Sequence, residues 1–174
     1  MDWPAPTKRP LRRILLSTWL HRVGYEPPSI LWWSSLPNPD FVSASTRHLR
    51  DARYLHEGSR HDNSAYHSGY VVECALKAVV QRTGINAKSY GHRLQRLQRD
   101  GLAFAALAVP GCTRYGPAEA DVNTMNHKWS EASRYDRTGD RAPQESALLL
   151  QVADRVWTRC VGQMFLDGLI EEPA

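Results

Sequence analysis

From Asp40 onward, apolar residues recur at three- and four-residue spacing, and no run alternates in the way a half-buried strand requires. Asp40, behind Pro39, is placed to cap a first helix that Gly58 ends. The row Ala65, Gly69, Val72, Leu76, Val79 predicts a second helix over 63–82 that stops at Gly84, with Ala75, Ala78 and Val80 widening its apolar face. Its polar side chains are confined to a stripe of Tyr66, Tyr70, Glu73, Lys77 and Gln81, so this helix belongs at the centre of a bundle. A third helix begins near His92, turns Leu94 and Leu97 inward, and is interrupted at Asp100 and Gly101; an apolar piece over 102–109 ends at Pro110. A fourth spans 118–133 with Val122, Met125, Trp129 and Ala132 along one face. Pro143 suits the first turn of a long fifth helix carrying Leu149, Ala153, Val156, Cys160 and Met164 in a row. The pattern predicts an all-α protein, an up-and-down bundle of about five helices.

The first 39 residues read differently. They hold seven of the eleven prolines and four of the six tryptophans, Trp3, Trp19, Trp32 and Trp33. Residues 1–39 are therefore expected to form an appendage with one short helix over 11–23, and residues 40–174 the bundle. Exposed indoles are costly, so the appendage is expected to pack on the bundle or on a partner. The apolar run 14–20 is too short to cross a bilayer and no small-residue cleavage site follows it, which points to a cytoplasmic protein without a membrane span. Cys74, Cys112 and Cys160 lie far apart with no zinc-ligand spacing and are read as reduced thiols.

Charge changes the picture modestly. The 174 residues include 22 basic and 18 acidic groups, a net charge of +4, which permits contact with phosphates but falls short of a dense basic coat. No phosphate-cradling glycine loop, zincin helix or cofactor fingerprint is present, so no cofactor or metal is expected. His56, His61 and His67 crowd the first helix junction, but their spacing spreads them across a loop, and they read as surface histidines. Glu73 and Lys77 stand four apart, as an exposed ion pair or as a pair facing a groove or a subunit partner. Arg93, Arg96 and Arg99 recur every third residue, either as a hydrated face or as a track for a nucleic-acid backbone.

Three stretches carry a resemblance: AYHSGYVVECALKAVVQRTG, then YGHRLQRL, then WSEASRYDRTGDRAPQESALLLQVADRVW. Over about residues 40–168 the chain resembles the HEPN domain, in the branch of small prokaryotic proteins related to the C-terminal domain of sacsin. The matching features are Glu73 and Lys77 on the second helix, His92 and Leu94 opening the third, and Arg134 with Tyr135 closing the fourth. The resemblance implies a helical bundle, usually a homodimer, that binds nucleotide or RNA. It also implies a candidate metal-independent endoribonuclease of a toxin–antitoxin, stress or antiviral defence system, sometimes partnered by a nucleotidyltransferase. Such enzymes pair an arginine, which holds the scissile phosphate, with a histidine that moves the proton of the 2′-hydroxyl. Arg50 with His56 and Arg60 with His67 have that spacing but lie in the first half of the bundle, where coincidence is the favoured account, and they stand as the fallback catalytic pairs. No histidine follows Arg134 within the required distance, which puts hydrolysis in doubt.

The expected site is accordingly His92, Arg134 and Tyr135 for catalysis, with Glu73, Lys77, Arg93 and Arg96 binding the ligand, all converging on one cationic groove. The bland alternative has His92 capping the third helix, Tyr135 packing, and Arg134 neutralising Glu73. The rival function is a non-catalytic module that dimerises or docks a partner.

Overall fold

A computed structural model describes residues 39–172; the expectations placed on residues 1–38, including the short helix and the four tryptophans, lie outside the described residues. Every regular element among the described residues is a helix, and no strand occurs among them. Helix α1 is Phe41–Glu57 and α2 is His61–Arg82. Asp40 caps α1 as expected: its carboxylate accepts the backbone N–H of Ser43 at 2.9 Å, and these serine hydrogen bonds hold its pKa down. The three-residue link at Gly58, Ser59 and Arg60 folds α2 back along α1, and Ser64 Oγ donates across the seam to the Ala52 carbonyl at 2.8 Å.

Residues 71–80 of α2 are buried at every position. Its apolar residues meet α1 on one side and α5 (Pro143–Trp157) on another. The core joins Leu49 of α1, Val72, Leu76 and Val79 of α2, and Leu149, Val152 and Val156 of α5. Helix α4 (Glu119–Lys128) adds Val122 and Met125 and is clamped to α5 by Arg155, whose guanidinium donates to both oxygens of Asp121. Beyond Trp157 the fifth helix widens into a π turn at Thr158–Gly162 and closes at Gln163–Leu166. All three cysteines are free and buried, and burial pushes the Cys74 and Cys160 thiols up to about 12.

Two boundaries differ from the pattern reading. The third helix, α3, is not broken at Asp100 and Gly101: Leu94–Arg96 runs into a π turn, Leu97–Gly101, and on into Leu102–Ala108. A Cβ on Gly101 would lie 3.2 Å from Leu97 Cδ1 and 3.3 Å from Val80 Cγ2, so the glycine permits close packing on α2 rather than ending the helix. The fourth helix stops at Lys128, short of the expected 133, because Trp129 turns extended to bury its indole on α2. Ser130 then starts a separate 3-10 turn, Glu131–Tyr135, in which Ser130 and Ser133 cap one another.

Candidate functional site

The stripe predicted along α2 is present, but its middle is inside the protein. Glu73 is 2% exposed and Lys77 6%. Lys77 Nζ donates to Glu73 Oε1 at 2.6 Å, and the ammonium also lies 5.4 Å from the centre of the Phe41 ring. The other carboxylate oxygen, Oε2, holds His92 Nδ1 at 2.8 Å. A carboxylate paired with an ammonium is ionised and can only accept, so Nδ1 carries the proton and Nε2 of the neutral ring keeps its lone pair. The imidazole reaches outward from this anchor, with 46% of its side chain exposed.

His92 stands at the rim of a cleft of about 550 Å³ that it lines with Arg93, Arg96, Arg99, Asn126 and Trp129. Asp100 partly offsets the cationic wall, at 2.9 Å from Arg99 and 3.8 Å from Arg96, and Glu131 adds one more carboxylate. Trp129 is fixed by its Nε1 donating to the Tyr66 carbonyl at 2.9 Å. Its indole covers Gly69 so closely that a Cβ there would fall 2.1 Å from the ring. A residue that reads as apolar filler in the α2 row is thus the seat of the cleft's aromatic wall.

Aromatic contacts link this cleft to Arg134. Tyr70 stands edge-on to His92 with centroids 5.8 Å apart and edge-on to Trp129 at 5.2 Å, and its hydroxyl is 3.0 Å from that of Tyr66. Burial raises the pKa of Tyr70, and the Tyr66 hydroxyl and the Glu73 charge raise it further while Arg134 opposes them. The Arg134 guanidinium lies over the Tyr135 ring at 4.8 Å, and the interactions with Tyr135 and then Tyr66 raise its pKa. It lines a second hollow of about 430 Å³ together with Arg60, His61, Tyr66 and Arg141. Asp62 ties that hollow together by accepting the backbone N–H groups of Gly139 at 2.7 Å and Arg141 at 2.8 Å, bonds that lower its pKa.

The expected residues are therefore brought near one another without sharing one groove. His92, Arg93 and Arg96 line the first cleft, Arg134 lines the second hollow, and Lys77 lies beneath the surface on Glu73. The exposed-seam and subunit-facing readings of Glu73 and Lys77 are both corrected by this burial. So is the bland alternative: Glu73 is neutralised by Lys77 and His92 rather than Arg134, the N-cap of α3 is Arg93 rather than His92, and Tyr135 is 78% exposed. Of the spaced pairs, Arg50 is exposed on α1 while His56 Nδ1 meets Ser146 Oγ at 3.0 Å. Arg60 belongs to the second hollow, and His67 turns toward α1.

The histidine cluster regroups. His56 and His61 contact each other with ring centroids 5.2 Å apart, whereas His67 Nδ1 lies 3.0 Å from Nδ1 of His48 and 3.9 Å from Asp51 Oδ2. His48 also stacks on Tyr70 at 5.2 Å. Burial, followed by the charges of His67 and Arg47, lowers the pKa of His48 to about 4, and burial lowers that of His67 as well. Nothing in the sequence singles out His48 and Asp51 beyond a three-residue spacing that puts them on one face of α1, toward His67 of α2.

The HEPN domain family model matches residues 40–163. No curated protein and no solved structure matches the chain.

Proposed function

The chain belongs to the HEPN domain family, and from that premise we propose that its bundle is a module that binds RNA or a nucleotide by its phosphates and acts as a homodimer. The observation that carries this reading is the buried Glu73 carboxylate, which fixes the proton of His92 on Nδ1 and presents Nε2 at the rim of a cleft lined by three arginines. Guanidinium groups suit phosphate oxygens, and the flanking Trp129 and Tyr70 supply apolar edges for a base or sugar. The branch related to the C-terminal domain of sacsin, a nucleotidyltransferase partner and a role in stress or antiviral defence form the finer part of the proposal, supported by the resemblance of the three stretches named above.

Hydrolysis needs no metal in this scheme. His92 Nε2 takes the proton of a 2′-hydroxyl, the 2′-oxygen attacks phosphorus, and the 5′-oxygen leaves with a proton from water. Arg134, whose guanidinium lies 4.8 Å from the centre of the Tyr135 ring, takes no part in this proton transfer; its part is to hold a phosphate at the adjoining hollow.

The test is incubation of the full-length protein with single-stranded RNA in chelator, beside His92→Ala and Arg134→Ala. Cleavage that His92→Ala abolishes and Arg134→Ala weakens is the expected result. Cleavage unaffected by either change removes this site. Binding without cleavage would keep the phosphate-binding module and remove its hydrolytic step, whereas neither binding nor cleavage would favour the second reading, a non-catalytic module that dimerises or docks a partner, for which the exposed apolar side chains Phe104, Leu107 and Leu166 speak.

A further inference from the structure

We propose that His48, Asp51 and His67 form a binding site for a divalent transition-metal ion of the Zn²⁺ type, held between α1 and α2. The inference is independent of the phosphate cleft. One ligand atom from each residue lies within 4.8 Å of the others. The two Nδ1 atoms, 3.0 Å apart, need to separate by only a few tenths of an ångström, because tetrahedral zinc with bonds of about 2.0–2.1 Å sets its nitrogen ligands roughly 3.4 Å apart. Asp51 Oδ2, 3.9 Å from His67 Nδ1, closes the third side and offsets part of the metal's charge, while Arg47 is the opposing cation.

The surroundings orient both rings. Tyr70 stacks on His48 with an interplanar angle of 25°, and Tyr66 stands edge-on to His67 with centroids 6.0 Å apart. Burial depresses the pKa of both imidazoles, so at neutral pH they offer lone pairs without first losing a proton. Two imidazoles and one carboxylate suit zinc, cobalt, nickel or ferrous iron better than magnesium or calcium, which prefer all-oxygen shells. Three protein ligands leave at least one position for water.

The experiment titrates the untagged full chain with Co²⁺, reading the visible d–d absorption, and then displaces the cobalt with Zn²⁺. One tightly bound ion per chain is expected, with an absorption typical of four-coordinate cobalt. Changes in the second shell alone cost about 10–100-fold in affinity, so His48→Ala and His67→Ala are each expected to cost at least that much. His56→Ala and His61→Ala are expected to leave binding unchanged. Circular dichroism verifies the fold of each variant, and His67→Gln replaces any alanine variant that loses helicity. Absence of binding by the wild type, or equal binding by the His48 and His67 variants, overturns the proposal; in that case the two rings are a hydrogen-bonded pair.

Discussion

Gly69 shows how much one missing side chain can decide. In the sequence it is one more small residue of the α2 row, and nothing there announces that an indole lies on it. A Cβ at this position would meet Trp129 at 2.1 Å, so Gly69→Ala must displace the ring and strain its bond to the Tyr66 carbonyl. A loss of about 1–3 kcal/mol is expected in urea denaturation. His48 belongs to the same scale. Its folded pKa of about 4 lies below the ordinary value of 6.5, so between these values the unfolded chain binds more protons than the folded one. Stability is therefore fully present above about pH 6.5 and lost as the pH falls toward 4, by on the order of 1–2 kcal/mol for this partly exposed ring. His48→Gln is expected to flatten the pH dependence of the melting temperature in that window. An unchanged slope would show that other groups set it.

At the scale of elements, the apolar periodicity was enough to read α1, α2 and α5, because their burial follows a helical row. The ends of the third and fourth helices were not legible, because tertiary contacts decide them: Gly101 admits Val80, and Trp129 leaves the helix to reach Gly69. The polar stripe of α2 was legible as a stripe, but its depth was not, since spacing does not say what covers a face. That depth has an energetic consequence. Glu73→Gln leaves the Lys77 ammonium buried without its counter-charge, and a destabilisation of about 3–5 kcal/mol is expected. The double change Glu73→Leu with Lys77→Met removes both charges and is expected to cost much less. Similar losses in the two variants, measured by denaturation, would mean that packing rather than charge governs the site.

At the scale of the whole molecule the net charge is only +4, and among the described residues Arg93, Arg96 and Arg99 gather on one wall beside His92, partly offset by Asp100 and Glu131. Among the described residues no helix is long and apolar enough to cross a membrane. The family match fixes the class of bundle, while the cleft gives the phosphate reading its physical content. The most direct measurement is the anisotropy of a labelled single-stranded RNA titrated with the wild type and with the Arg93→Ser, Arg96→Ser, Arg99→Ser triple variant across a range of salt. The expected result is an affinity at least about tenfold lower for the triple variant and a shallower dependence on salt, because fewer counterions are released. Equal affinity and an equal salt slope in the two proteins would contradict a phosphate site in this cleft.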